Sequence, residues 1–149
     1  MTGKIIVFGL FLLLPPTTYA GEYQDKLSEC LVTSATKEEK RSIVRWVFTG
    51  ISSHRDVSDL TNITPAQADS IYDDAAKTYE KLITERCRTQ AIVAVEKEGT
   101  NSFSSAFRTL ASQSMKDILG DPLVRFSTGK LQRYVDSDKI KDEILKPQK

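Results

Sequence analysis

The chain has 149 residues, with 21 basic and 20 acidic side chains and a formal net charge of +1. This balance argues against non-specific nucleic-acid binding as the main activity, because such binding requires many cations to neutralise phosphates. The length suits one domain, and no apolar run after residue 20 is long enough to span a bilayer.

Residues 1–20 have the pattern of a cleaved secretory signal peptide. Lys4 supplies a positive charge, Ile5 to Leu14 form a short apolar run, and Ala20 ends an acceptable cleavage site. We therefore expect a single helical domain of residues 21–149 that acts in the periplasm or outside the cell. Gly21 would follow the cut, and the lack of a cysteine there argues against a lipid anchor.

Two helices are predicted at the start of this domain. Glu22 to Val32 form a short helix, and Thr36 caps the second one with Glu39 as its capping-box partner. The apolar face of the second helix consists of Ile43, Val44, Val47, Phe48 and Ile51. The polar stretch 52–63 lacks periodicity and predicts a loop or one irregular turn.

Residues 64–99 predict one long helix that begins with a capping box of Thr64 and Gln67 and ends at Gly99. Its apolar residues recur at steps of three and four, at Ala68, Ile71, Tyr72, Ala75, Tyr79, Leu82 and Ile83. The apolar positions then move around the helix, to Cys87, Ala91, Ala94 and Val95. This shift predicts either a bend near residues 85–90 or a different neighbour at the far end.

The last third of the chain is also helical in pattern. A helix follows residues 100–102 and runs to Leu119. Asp121 and Pro122 begin a short helix, and one or two further helices complete the chain. No segment shows sustained alternation of period two. The sequence therefore predicts an all-α, single-domain bundle of five to six helices.

Cys30 and Cys87 are the two cysteines of the chain. In an exported protein an even pair predicts a disulfide, worth about 4 kcal/mol in the chain-entropy model. The alternatives are two free thiols or a metal site, but two cysteines and one distant histidine make a poor zinc site. We expect one disulfide, no metal and no cofactor.

No motif for catalysis stands out. His54 is the one histidine, and no Gly-x-Ser-x-Gly elbow accompanies it. Asp73 and Asp74 are adjacent on a helix and point in different directions, so they cannot flank one bond. We expect a non-enzymatic protein and keep a hydrolase as a lesser alternative.

A cluster of basic residues gives the sharpest functional hypothesis. Lys37, Arg41 and Arg45 recur every four residues on the second helix, and a Cys30–Cys87 bond would bring residues 86–88 near its N-terminus. We hypothesise that this cluster binds an acidic head group, a phosphate or an acidic protein partner. Its members are Lys37, Lys40, Arg41, Arg45, Arg86 and Arg88. The alternative is that they pair with neighbouring glutamates on a solvated face.

Two further interpretations concern apolar surfaces. Trp46 lies at the flank of the second helix's apolar face, where it is either covered by the first helix or exposed as an anchor for a protein partner or a lipid interface. Tyr72, Tyr79 and Arg86 lie roughly in line. They would suit a carrier that holds a lipid or another apolar ligand inside the bundle.

One group of proteins has a similar pattern. The shared pattern consists of the cysteine-leucine pair at Cys30, the Val-Arg-Trp-Val-Phe run at 44–48, His54, the Ala-Phe pair at 106–107 and Tyr-Val-Asp at 134–136. In this pattern the sequence resembles small exported proteins of gram-negative bacteria with no settled function. This sequence differs from the group at two positions, with Arg55 in place of proline and Val135 in place of leucine. The resemblance implies a helical fold with one disulfide and no active site. Some proteins of this kind act as effectors outside the cell.

Overall fold

The computed structural model describes residues 21–146, and within this range the fold is all-α with no strand. The predicted signal peptide, residues 1–20, lies outside the described residues, as does the end of the chain after Lys146. The described helices are α1 Glu22–Ser34, α2 Lys37–Ser52, α3 Pro65–Lys81, α4 Arg88–Glu98, α5 Asn101–Leu119, α6 Pro122–Gly129 and α7 Ser137–Ile144.

Local capping explains where several helices begin. Thr36 and Glu39 form the predicted capping box of α2, and Thr64 and Gln67 form that of α3. Asp121 caps α6 by accepting hydrogen bonds from two backbone N–H groups. Each cap satisfies N–H groups that have no partner within the helix, so these starts are determined by nearby residues.

The predicted long helix is divided at Cys87 into α3 and α4. A π-helical turn spans Leu82–Arg86, and the N–H of Cys87 donates to the carbonyl of Leu82, 2.8 Å away. Two residues five positions apart would point about 140° apart on an α-helix. The wider turn brings Leu82 and Cys87 to the same buried side, which accounts for the shift in the apolar pattern.

The core lies mainly between α1, α4 and α5. Leu27 and Leu31 of α1 and Leu110 of α5 are fully buried. The helices approach closely here because alanines occupy much of the interface, at Ala91, Ala94, Ala106 and Ala111. The predicted Cys30–Cys87 disulfide is confirmed, and it joins α1 to the junction between the π-turn and α4.

The second half of the bundle is more open. α2 packs against both α3 and α5. Phe48 and Ile51, predicted on the apolar face of α2, remain about half exposed. No residue of α6, α7 or the 3-10 turn Lys130–Tyr134 between them is buried. Among residues 21–146, no helix is long and apolar enough to cross a membrane.

Candidate functional site

Arg86, one member of the predicted basic cluster, is bound within the protein. Its guanidinium donates to both carboxylate oxygens of Glu39, at 2.6 and 2.9 Å, and to the carbonyl of Ser34 at 2.6 Å. The disulfide places Arg86 at the N-terminus of α2, as expected, but the anion that it meets there is the capping-box glutamate. Such a two-pronged pair fixes the arginine in one orientation.

Glu39 has several partners at this position. Burial alone would raise the pKa of Glu39, but the N–H of Thr36 and the guanidinium of Arg86 hold this pKa below its ordinary value. The ammonium of Lys81 lies 3.8 Å from the same carboxylate. The sequence left open the alternative that the basic residues pair with neighbouring glutamates, and for Arg86 this alternative is correct.

The other members of the basic cluster are spread over α2 and α4. Arg41 and Arg45 line a furrow between α2 and α3, together with the carboxylates of Glu38, Glu39 and Asp74. Lys40 lies 3.8 Å from Asp117 of α5, while Lys37 and Arg88 are exposed. The furrow thus combines two cations with three carboxylates, a balance that does not favour a small anion.

A larger groove opens between α2, α3 and α5, with a volume of about 710 Å³. Trp46 and Val47 of α2 line it. The walls come from α3, with Tyr72, Ala75, Ala76 and Tyr79, and from α5, with Ser104, Phe107, Arg108, Ala111, Ser112 and Met115. Both α3 and α5 pack against α2, and several of the residues that they contribute to the lining are small, which leaves space between the helices.

Three aromatic rings form one side of this groove. The ring centroid of Phe107 lies 5.4 Å from that of Trp46 and 4.5 Å from that of Tyr79, with both pairs tilted. Such contacts are favourable for aromatic quadrupoles. Partial burial raises the pKa of the Tyr79 hydroxyl, so it stays neutral at physiological pH. Trp46, interpreted from sequence as either covered by the first helix or exposed as an anchor, is half-buried against Phe107 of α5.

Arg108 is the one charged side chain that lines the groove in the described part of the chain. The carrier hypothesis named Tyr72, Tyr79 and Arg86. Both tyrosines do line the groove, but Arg86 is bound to Glu39 elsewhere, so the arginine at this site comes from α5. The sequence signal for it was a run of small residues, Ser104, Ala111 and Ser112, on the same helix face as Arg108.

The remaining chemical candidates lie apart from the groove. The His54 side chain is exposed in the turn after α2, with Nδ1 3.7 Å from a carboxylate oxygen of Asp56. Residues 21–146 contain no group of three histidine, cysteine or acidic side chains placed to bind a metal ion.

Comparisons with known proteins yield no relative, since no family model, no curated protein and no solved structure matches the chain.

Proposed function

We propose that the protein is an exported binding protein, not an enzyme, and that it binds an amphiphile in the groove between α2, α3 and α5. The observation that supports this most directly is the groove's composition, in which one cation faces a largely apolar, aromatic lining. An apolar ligand body would contact Trp46, Tyr79 and Phe107. A carboxylate, phosphate or sulfonate on the same ligand would pair with Arg108.

The size and lining of the groove agree with this function. Ligand sites are usually concave, mostly apolar spaces of about 300–1,000 Å³ with a few polar groups that orient the ligand. The groove's 710 Å³ lies within that range. The mixed-charge furrow at Arg41 and Arg45 is smaller, at about 410 Å³, and its carboxylates would repel an anion.

Export is supported by two features. The pattern of residues 1–20 is that of a signal peptide, and the disulfide is of a kind that persists in oxidising compartments. A test is to compare the cell interior, the periplasm and the culture medium by immunoblot. Recovery of the protein solely from the cell interior, with both thiols reduced, would contradict export.

Trp46 is the only tryptophan and lies in the groove, so its fluorescence reports binding directly. The probes are anilinonaphthalene sulfonate, which combines aromatic rings with an anion, and oleate below its micelle concentration. We expect saturable binding of both probes. Arg108→Gln should weaken it about tenfold, because a hydrogen bond to a charged group is worth about 1.5–3 kcal/mol.

A pair of matched variants tests whether the groove itself is the site. Ala76 lines the groove on α3, so Ala76→Phe should place a ring inside it and strongly weaken binding. Ala66 is exposed in the first turn of the same helix, and Ala66→Phe is the control that should leave binding intact. Equal binding by the two variants would refute the proposal.

A further inference from the structure

A second exposed surface lies beyond the bundle, in the segment Pro122 to Val135, which we call the basic apolar segment. It contains α6 and the 3-10 turn that follows. Its large apolar side chains are exposed to an unusual degree, with Leu123 at 72%, Phe126 at 58%, Leu131 at 69% and Tyr134 at 86%. Several large apolar side chains exposed within one short segment favour an interaction site.

The charges of this segment have one sign. Arg125, Lys130 and Arg133 are its ionisable cations, and no acidic residue occurs between Pro122 and Val135. The acids that flank it, Asp121 and Asp136, are used as helix caps, since each accepts backbone N–H bonds at the start of α6 or α7. The segment therefore presents three positive charges beside its apolar side chains.

The end of the bundle also exposes apolar side chains next to this segment in the sequence. Ile118 and Leu119, in the last turn of α5, are also exposed and precede the segment directly. Lys130 lies over the ring of Phe126, with its ammonium 5.1 Å from the ring centroid. At this point of the segment a cationic and an apolar group lie side by side, so one partner surface would meet both.

We propose that the basic apolar segment binds the surface of an anionic phospholipid bilayer. Lysine and arginine are attracted to anionic head groups, and exposed phenylalanine and tyrosine side chains partition into the interfacial region. A second copy of this chain is a poorer fit. In a twofold dimer the segment would face itself and oppose three cations to three cations.

Vesicle flotation with the full chain tests this inference. We expect binding to vesicles that contain phosphatidylglycerol, weaker binding at high salt, and little binding to pure phosphatidylcholine. The triple variant Arg125→Gln, Lys130→Gln and Arg133→Gln should weaken binding about a hundredfold, from roughly fivefold per cation. Phe126→Ser with Tyr134→Ser should also weaken it, at unchanged helical content, because both side chains are exposed.

The matched control removes three charges from α2 instead, by Lys37→Gln, Arg41→Gln and Arg45→Gln. It should bind vesicles as the wild type does. Loss of binding in this control but not in the segment variant would overturn the inference, as would no binding to anionic vesicles. A dimer that the Phe126 and Tyr134 changes dissolve, or an acidic protein partner captured without vesicle binding, would also overturn it.

This inference stands apart from the groove. The segment variants should retain the Trp46 fluorescence response to anilinonaphthalene sulfonate, and Ala76→Phe should retain vesicle binding. The experiments can therefore distinguish failure of the groove proposal from failure of the membrane proposal.

Discussion

Glu98 shows how a single side chain connects distant parts of the chain. It ends α4, and its carboxylate accepts the backbone N–H groups of Gly21, Tyr23 and Gln24 at 2.8–3.1 Å. These donors lie at the N-terminus of α1, where a negative charge is favoured by the helix dipole. Gly21 is also the residue that the predicted cleavage would make N-terminal. A mature chain would then place its α-ammonium group beside this carboxylate.

The first prediction concerns the charge of Glu98. Burial alone would raise the pKa of Glu98, but the three backbone donors together hold this pKa below its ordinary value. Its contribution to stability is therefore complete above the ordinary glutamate pKa and is lost as pH falls through the lowered value. Glu98→Gln should lower the denaturation midpoint at neutral pH and reduce the loss of stability on acidification.

Urea titrations at neutral and acidic pH measure this effect. Glu96→Gln is the control, because Glu96 is exposed on the same helix two residues earlier. If the Glu98 and Glu96 variants have the same midpoints at both pH values, the Glu98 cap does not contribute as described.

At the scale of the element, the π-turn of residues 82–86 is the feature that most affects packing. It inserts one residue into the helical repeat, so that Leu82 and Cys87 are both buried. Without it, the disulfide partner of Cys30 would rotate away from α1. The sequence showed that the apolar pattern shifts, but it did not distinguish a wide turn from a bend.

The second prediction follows from this insertion. Deleting Thr84, an exposed residue of the turn, should leave Leu82 and the cysteine four residues apart and in phase on an ordinary α-helix. The disulfide should still form, with the thermal midpoint close to that of the wild type. Deleting Lys77, which is exposed in α3, should instead rotate the first part of that helix by about 100° and lower the midpoint.

Mass spectrometry of alkylated protein and thermal unfolding followed by circular dichroism compare the two deletions. The description of the turn is wrong if both deletions are equally harmful, or if removal of Thr84 leaves free thiols.

For the whole molecule, the disulfide constrains the unfolded chain across a sequence separation of 57 residues. The third prediction is that Cys30→Ser with Cys87→Ser lowers the free energy of unfolding by about 4 kcal/mol, because the open chain gains conformational entropy. Urea unfolding measures the loss. A reducing agent should destabilise the wild type similarly and leave the double variant unchanged; a response of the double variant would mean that reduction acts elsewhere.

The two proposed sites also differ at this scale. The groove is a gap between helices that pack on α2, whereas the basic apolar segment contributes no residue to the core. The two proposals thus assign amphiphile binding and membrane contact to separate parts of the chain.

Local chemistry allowed much of the fold to be predicted. Capping boxes, helical apolar periodicity and an even cysteine pair depend on neighbouring residues or on composition. For this reason the sequence predicted the all-α class, most helix starts and the Cys30–Cys87 bond correctly. The described part of the chain has seven α-helices, one more than the upper end of the five to six expected, because the π-turn divides the long helix in two.

The candidate site was less accessible, because it depends on the relative placement of helices. Periodicity indicates which face of a helix is apolar, but it does not say whether another helix covers that face. Phe48 and Leu123 belong to apolar patterns and yet stay exposed. In the same way, tertiary packing decides that Arg86 pairs with Glu39, which is distant in the sequence, and that Arg108 lies at a groove completed by α2 and α3.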